Sequence, residues 1–316
     1  MTRIFQACDI HGNELVWKKI VKIGPYHKAD IVLMCGDLTG KAIVPIVRRK
    51  ESEWYCNPHG EDLIMHSKEE IERFKEVQRN KGLYVFETDP EELKQLQADP
   101  RAVSDLFTRL MKETIQRWLE LVKESTPKNV KVIVNPGNDD IFEIDEIIEN
   151  NERVIYPLDR VVSLDETYEM ISCAWVNPTP WKTPRECSEH DLRKKLEKEY
   201  ERVGENERLV CNFHAPPFGT TIDLAPKLKP DKTVVTSAGA PVMEHVGSRA
   251  VREFIEEHQP FLGLHGHIHE ACGSEYLKRT LCLNPGSEYQ TGILRGFVID
   301  LPRSPSEKIS YWRAEA

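Results

Sequence analysis

The feature that most constrains the fold is a wholly apolar run at residues 31–35, Ile-Val-Leu-Met-Cys. A strand that is apolar at every position is typical of a parallel sheet that is covered on both faces. A β-prone run at residues 3–8 precedes it, and between the two runs residues 13–23 repeat their apolar side chains at helical spacing. Strand, helix and strand in this order predict a βαβ unit. Gly24-Pro25 is predicted to end the helix.

Later apolar runs, at residues 130–134 and 209–213, predict two further core strands. Residues 248–258 predict a helix that Ser248 caps. Residues 215–247 form a long segment rich in Pro, Thr and Lys. Long loops in compact domains are usually lids or binding loops, so this segment is expected to serve the site.

Residues 41–128 have a different organisation, because helical patterns dominate there. Three helical stretches are predicted, at residues 68–78, 90–96 and 101–123. We therefore expect a single domain over residues 1–316, with residues 41–128 as a helical insertion, or lobe, beside the site.

The composition is that of an ordinary soluble globular protein, with 40% hydrophobic and 30% charged residues. The formal net charge of −9 disfavours a dedicated nucleic-acid binder. The sequence has neither a signal-peptide pattern at its start nor an apolar run of the roughly 20 residues that a membrane helix needs. We expect a cytoplasmic protein without a membrane partner, whose eight cysteines are reduced thiols.

Potential metal ligands follow the predicted strands in five short motifs. In chain order these are Asp9-Ile10-His11-Gly12-Asn13, Gly36-Asp37-Leu38, Gly137-Asn138-Asp139-Asp140, His214 and Gly266-His267-Ile268-His269. Mixed carboxylate, amide and imidazole ligands tolerate manganese, iron, zinc, nickel or cobalt. Two such ions, divalent or trivalent, would serve phosphoryl or phosphodiester hydrolysis.

Each motif alone has a plainer explanation. Asp9 could cap the helix that follows it, and Asp37 could make an Asx-turn. Asn138 could belong to an ordinary Asn-Asp turn, and His214 could be a satisfied histidine at the end of a strand. The most specific feature is the segment 265–269, which holds three histidines in five residues. Alternate residues of an extended segment project to one side, so these histidines can face one site. The plainer explanations of all five motifs would have to hold at once, and the motifs together therefore favour a metal site.

This motif set resembles the calcineurin-like metallophosphoesterase superfamily, whose pattern is D-x-H, G-D, G-N-H-[DE], a lone His and G-H-x-H. The resemblance covers residues 9–269. It implies a four-layer α/β/β/α sandwich of mixed sheets, with two metal ions at the strand ends. The ligands that it implies are Asp9, His11 and His269 for the first ion, Asn138, His214 and His267 for the second, and Asp37 as the bridge. It also implies that a metal-bridging hydroxide attacks phosphorus, without a covalent enzyme intermediate.

The sequence departs from the family pattern at two positions. Asp139 stands where the family has a histidine that contacts phosphate or protonates the leaving group. An ordinary Asp is anionic at neutral pH and would repel phosphate, unless burial or Asp140 raised its pKa. Gly40 stands where many relatives have Asp, Asn or Arg. The alternative proton donors outside the metal set are His265, which is nearest in sequence, and His245, His59 and His66.

The leading interpretation is a dinuclear-metal phosphoesterase that hydrolyses a small phosphate ester, with diesters slightly favoured over monoesters. Asp139 and His265 are its candidate catalytic residues besides the metal ligands. The first alternative is a binding or scaffold protein that keeps this fold but has little or no turnover, which Asp139 favours. A nuclease is the third possibility, and the acidic balance disfavours it.

Overall fold

The computed structural model describes residues 1–57, 62–203, 208–304 and 307–316. The helices of these ranges are α1 (Glu14–His27), α2 (Lys68–Arg79), α3 (Pro90–Ala98), α4 (Pro100–Ser125), α5 (Asp145–Glu149), α6 (Glu189–Tyr200) and α7 (Arg249–His258). The strands are β1 (Thr2–Ala7), β2 (Ile31–Met34), β3 (Ala42–Lys50), β4 (Glu53–Cys56), β5 (Leu63–Met65), β6 (Leu83–Thr88), β7 (Lys131–Val134), β8 (Val162–Ser163), β9 (Glu169–Cys173), β10 (Leu209–Phe213), β11 (Leu224–Pro226), β12 (Thr236–Ser237), β13 (Ala240–Pro241), β14 (Met243–His245), β15 (Leu262–Leu264), β16 (Gly273–Leu277), β17 (Thr280–Asn284), β18 (Arg295–Leu301) and β19 (Ser310–Glu315).

Two mixed sheets form the centre of the molecule. The first has the order β19-β18-β1-β2-β7 and the second the order β16-β17-β15-β10-β9-β8. In the first sheet β1, β2 and β7 run parallel, and in the second β9, β10, β15 and β17 run parallel. The carboxyl ends of the parallel strands in each sheet therefore meet at one edge.

Alternation along the strands produces the layers. Ile4 faces the core between the two sheets, whereas its neighbour Phe5 faces the helices outside the first sheet. Trp17 of α1 and Trp118 of α4 stack on that outer side with their ring centroids 4.9 Å apart. Helices α6 and α7 cover the outer side of the second sheet. The predicted α/β/β/α sandwich of mixed sheets is confirmed.

The predicted βαβ unit is present as β1, α1 and β2, but α1 does not end at Gly24-Pro25. It continues to His27, and Lys28 follows in a left-handed conformation. A proline in a helix leaves the carbonyl four residues earlier without its usual donor. Here that carbonyl belongs to Val21, and the Thr126 hydroxyl donates a 2.7 Å hydrogen bond to it. The side chain of a distant residue thus replaces the bond that Pro25 cannot make.

The three helices predicted within residues 41–128 are confirmed as α2, α3 and α4. The description of this segment as helical was incomplete, because it also holds a four-stranded sheet of order β5-β4-β3-β6. Pro45 interrupts the apolar run of β3 and obscured it in the sequence. The structure tolerates Pro45 because β4 pairs with β3 only from Val47 onward, so at Pro45 the strand has β6 alone as a partner.

The long segment 215–247 contains two small antiparallel sheets, formed by β11 with β14 and by β12 with β13. Ser248 caps α7 as predicted, because its hydroxyl accepts a hydrogen bond from the Val251 amide. Within the described ranges, no helix is both long enough and apolar enough to cross a membrane.

Candidate metal centre

The seven predicted metal ligands lie together where the two sheets present the ends of their parallel strands. Those of the first sheet follow β1, β2 and β7, and those of the second follow β10 and β15. They form two groups whose donor atoms all lie within 4.8 Å of one another, Asp9 with His11 and His269, and Asp37 with His214 and His267. The side-chain oxygen of Asn138 lies 3.0 Å from Nε2 of His214 and so joins the second group.

Asp37 lies between the two groups. One of its carboxylate oxygens is 3.7 Å from Nε2 of His11, and the other is 3.5 Å from Nε2 of His214. A carboxylate with one oxygen toward each group has the arrangement of a bridging ligand. In the first group, Nε2 of His11 lies 3.0 Å from Nε2 of His269. These two ring nitrogens therefore converge on one point.

The backbone of the centre is strained. Asp9, His11, Asp37 and His267 have φ angles of 53°, 41°, 51° and 69°. This left-handed region is unfavourable for residues with a side chain, and such strain gathers at functional sites. Four of the seven predicted ligands adopt this conformation. The fold therefore accepts a local cost in backbone energy in order to hold these side chains in position.

The motif glycines keep space for the ligands. A Cβ atom at Gly36 would lie 2.4 Å from Nδ1 of His214. A Cβ atom at Gly137 would lie 2.2 Å from a carboxylate oxygen of Asp37. Any side chain at either position would displace a candidate ligand.

The donor set fits metal ions. Nδ1 of His214 donates to the carbonyl of Cys35 at 2.8 Å, which fixes the ring so that Nε2 faces Asn138 and Asp37. Metal-binding histidines are usually oriented in this way by a second hydrogen bond. The side chains of Asp9, His11 and His214 are almost fully buried. Buried carboxylates and imidazoles at these distances are the oxygen and nitrogen ligands that zinc, manganese or iron takes.

The charges of the centre are strongly coupled. Burial alone would lower the pKa of His214, but the carboxylates of Asp37 and Asp9 raise it to about 9. Burial and the neighbouring His214 lower the pKa of His267 to about 3. Burial would raise the pKa of Asp37, but His214 and His11 hold it well below its usual range. At neutral pH the metal-free centre thus holds an ionised Asp37 and a neutral His267, whereas His214 is protonated and must release a proton to bind a metal ion.

Asp139 lies at the edge of this centre and forms an ion pair with Lys41, whose Nζ is 2.5 Å from the carboxylate. Its other neighbours are Nδ1 of His11, at 3.5 Å, and Asp37, whose carboxylate accepts the Asp139 amide at 2.9 Å. Burial and the Asp37 carboxylate raise the pKa of Asp139 to about 6, although Lys41 lowers it. The negative charge of Asp139 is therefore offset by the positive charge of Lys41, a residue that belongs to none of the sequence motifs.

Gly40, the second position at which the sequence departs from the family pattern, has a steric explanation. A Cβ atom at this position would lie 2.1 Å from the carbonyl oxygen of Gly82, at the start of β6. The Gly40 amide also donates to the hydroxyl of Tyr84 at 2.8 Å. The lobe thus fills the space that a side chain at residue 40 would need.

His265 does not join the cluster, although His267 and His269 do. Its ring is fully buried, and Nδ1 donates to the carbonyls of Phe213 and Ala215 at 2.8 and 3.0 Å. Burial lowers the pKa of His265 to about 4. A catalytic role for His265 stays a prediction, and this position gives it no support.

The other candidate proton donors are dispersed. His66 is exposed on the lobe, and His59 lies outside the described residues. His245 lies on the wall of a cavity of about 1100 Å³ that also exposes Asp37, Asn138, His267 and His269. The same cavity is lined by Lys41 and by Tyr289, whose ring centroid is 4.7 Å from that of His11. The sequence offered one signal for Lys41, since it follows Asp37 by four residues. No sequence pattern indicated that Tyr289 would lie at the site.

Comparisons with known proteins support the fold more than the function. No family model matches the chain. It is 29% identical over 158 residues to the uncharacterized protein MJ1162 of Methanocaldococcus jannaschii, in a match that covers 49% of this chain and 64% of that protein. The chain thus spans less than two thirds of that relative's length.

Two solved structures share the fold along nearly the whole chain. One crystal structure matches with a TM-score of 0.58 and 15% identity, and covers 98% of both chains. The crystal structure of TT1561 of Thermus thermophilus matches with a TM-score of 0.52 and 13% identity, again over 98% of both chains. At this identity the likeness concerns the fold alone. Fold and site together define the class: an α/β sandwich with clustered candidate metal ligands at the strand ends.

Proposed function

We propose that this chain is a metal-dependent phosphoesterase of the calcineurin-like kind, which holds two metal ions and hydrolyses a small phosphate ester. The single observation that carries the proposal is that two groups of buried donors share Asp37 and open into one cavity. Isolated surface clusters of acids and histidines lack both the shared carboxylate and the cavity.

Asp9, His11 and His269 would hold one ion, and Asn138, His214 and His267 the other, with Asp37 in contact with both. Two ions held by these residues would supply positive charge to phosphate oxygens and would lower the pKa of bound water. The protein contributes the fixed geometry. Hydrogen bonds orient the donors, as Cys35 does for His214, and little rearrangement is needed when substrate binds.

Lys41 is proposed to supply the charge that the missing family histidine would have carried. Its ammonium group lines the cavity beside Asp139. It offsets the repulsion that Asp139 would exert on a phosphate oxygen, and it can itself bind that oxygen. Asp139 then acts as the partner that holds Lys41 toward the centre.

The substrate is proposed to be a diester in preference to a monoester. A diester carries one negative charge and a monoester two, and the paired Asp139 and Lys41 leave no net positive charge beside Asn138 for the second charge of a monoester. Because none of the described histidines replaces the family proton donor beside Asn138, rates should depend steeply on the leaving group. Aryl esters should be cleaved much faster than alkyl esters, and a flat dependence would contradict this part of the proposal.

The test uses metal-free protein reloaded separately with manganese, iron, zinc, nickel and cobalt. Hydrolysis of bis(4-nitrophenyl) phosphate, 4-nitrophenyl phosphate and cyclic nucleotides is then measured beside metal content. Asp37→Asn and His267→Ala should lose bound metal and at least about 100-fold in rate, as expected when a group essential for charge stabilisation is removed. His190→Ala is the control, because His190 is an exposed histidine of α6 outside the cavity. This variant should retain the bound metal and the rate of the wild type.

A scaffold protein without turnover is the second candidate, and the observation that favours it is Asp139 in place of the family histidine. It predicts two bound metal ions and no hydrolysis of any ester in the panel. Full activity of Asp37→Asn or His267→Ala would contradict both candidates.

A further inference from the structure

A second group of polar side chains lines the metal-centre cavity without belonging to the ligand loops. It consists of His245 at the end of β14 and Arg249 at the start of α7, both of which contact the ring of Phe218. His245 and Phe218 have their ring centroids 5.8 Å apart, and the guanidinium carbon of Arg249 lies 4.2 Å from the centroid of Phe218. We call these three residues the Phe218 cluster.

The imidazole of His245 is held by a buried carboxylate. Nδ1 of His245 lies 2.7 Å from a carboxylate oxygen of Asp223, which is fully buried. Asp223 also accepts hydrogen bonds from the amides of Gly219, Thr220 and Gly247 at 2.9 to 3.0 Å. Asp223 is therefore fixed and accepts the Nδ1 proton of His245. Nε2 has no hydrogen-bond partner among the described residues and remains free for a ligand.

Arg249 is an arginine without a carboxylate partner in the described part of the chain. Two carboxylates that line the same cavity, those of Glu189 and Glu244, have other donors. Glu189 accepts hydrogen bonds from the Ser248 hydroxyl and from the amides of Arg249 and Ala250. Glu244 pairs with Lys227 at 3.3 Å. The guanidinium of Arg249 and Nε2 of His245 are thus left as donors on this part of the wall.

The cavity, at about 1100 Å³, is far larger than one phosphate group requires. Pockets that bury drug-sized ligands measure roughly 300 to 1,000 Å³. A substrate with its scissile phosphate at the metal ligands therefore has room to extend toward the segment 215–247.

We propose that His245 and Arg249 form a second phosphate-binding subsite, so that the substrate is a phosphate ester bearing a further phosphate group away from the scissile bond. Guanidinium and imidazole N–H groups are strong donors to phosphate oxygens, and Arg is favoured where phosphate is recognised. Asp223 is the positioning residue that presents His245. The identification of the second phosphate as part of a substrate rests on the proposed function, whereas binding of phosphate at the Phe218 cluster does not.

The direct test measures binding on the metal-free protein of residues 1–316. Inorganic phosphate is titrated while the imidazole resonances of His245 and His190 are followed by NMR. The subsite predicts a saturable shift of His245 and none of His190, which lies outside the cavity. Arg249→Ala should weaken this binding by roughly tenfold, the loss expected for one charged hydrogen bond. An unmoved His245, or equal movement of both histidines, would overturn the proposal.

Acetate is the second probe and tests the choice of phosphate. It should need at least about tenfold higher concentration to shift His245, because acetate carries one negative charge whereas phosphate carries between one and two near neutral pH and binds charged donors more strongly. Equal responses to acetate and phosphate would overturn the assignment to phosphate.

The kinetic test uses two 4-nitrophenyl phosphodiesters that differ only in a terminal phosphate on the second alcohol. In Arg249→Ala, His245→Gln and Asp223→Asn, KM for the phosphate-bearing diester should rise about tenfold relative to KM for the plain diester. His190→Gln is the matched control and should leave the ratio unchanged. An unchanged ratio in Arg249→Ala, whose exposed side chain is not needed for folding, would count against the subsite.

The two proposals fail in different ways. If the metal-loaded wild-type protein hydrolyses neither diester, the proposed function fails, while the phosphate-dependent shift of His245 still reports on the subsite. If both diesters are hydrolysed with equal KM and His245 does not respond to phosphate, the phosphoesterase proposal stands and the subsite is refuted.

Discussion

The ammonium group of Lys41 lies 2.5 Å from the carboxylate of Asp139, at the edge of the candidate metal centre. Asp139 occupies the position where the family pattern has a histidine, and Lys41 follows Asp37, the proposed bridging ligand, by four residues. The two side chains form an ion pair whose positive end lines the cavity.

Lys41→Met should lower the rate of phosphodiester hydrolysis about 10- to 100-fold with little effect on metal content, because Lys41 is proposed to bind the substrate and is not among the proposed metal ligands. The measurement is kcat and KM for bis(4-nitrophenyl) phosphate beside metal analysis. Lys50→Met, at an exposed lysine of the lobe sheet, is the matched control. Equal rates for wild type and Lys41→Met would show that Lys41 has no part in the reaction.

Asp140 ties two ligand loops together. Its buried carboxylate accepts hydrogen bonds from the Leu38 and Thr39 amides, the Thr39 hydroxyl and the Gly137 amide at 2.7 to 3.1 Å. Asp140→Ala leaves these buried donors unsatisfied and should reduce the free energy of unfolding by about 2 to 4 kcal/mol. Urea unfolding of the metal-free protein measures this change. Asp231→Ala, at an exposed turn, is the control, and an equal effect of both substitutions would refute the role of Asp140.

Glu14 links α1 to α4 through a 2.5 Å hydrogen bond from Arg117, and Lys18 lies 3.2 Å away. Burial opposes ionisation, yet Arg117 and Lys18 hold the pKa of Glu14 below its ordinary value of 4.5. A carboxyl whose pKa is lowered by folding stabilises the protein above its unfolded pKa, and this contribution is lost as the pH falls through the folded pKa.

Glu14→Gln should therefore destabilise the protein by about 1 to 3 kcal/mol at pH 7, and the difference from wild type should shrink below about pH 4. Urea unfolding of metal-free protein at pH 7 and at pH 3 measures it. Glu113→Gln, at an exposed glutamate of α4, is the control. A difference that is the same at both pH values would contradict the ion-pair explanation.

Metal removal should destabilise the protein, because ions that bind only the folded state add to its stability. At a free metal concentration about 100 times the dissociation constant the gain is about 2.7 kcal/mol for each site. Chelator should therefore lower the thermal midpoint of wild type but leave Asp37→Asn unaffected. Equal midpoints of wild type with and without chelator would indicate that no tight metal site exists.

The sequence predicted the architecture, and it predicted that the polar side chains at the strand ends would cluster, for a physical reason. Wholly apolar strands such as β2 are recognisable because both faces are buried, and a polar residue at the end of such a strand must lie at the sheet edge. The order of the motifs then brings Asp37 and His214 together without knowledge of the loops. The four layers of the sandwich were implied by the resemblance of the motifs to a known family, and the strands alone did not predict them.

Features that depend on distant residues were not predictable. The extension of α1 beyond Pro25 requires the Thr126 hydroxyl, which comes from the far end of α4. The lobe sheet was missed because Pro45 interrupts β3, and only the register of β4 shows why that proline is tolerated. Lys41 was visible, but its pairing with Asp139 was not, and the pairing of His245 with Asp223 depends on the fold of the segment 215–247.

The most direct test of the central claim is anomalous diffraction from crystals of the metal-loaded protein. We predict two anomalous peaks roughly 3.5 to 4 Å apart, one beside Asp9, His11 and His269 and one beside Asn138, His214 and His267, with Asp37 touching both. If these side chains are clustered in crystals grown with metal but no anomalous peak lies between them, the claim of a metal centre is contradicted.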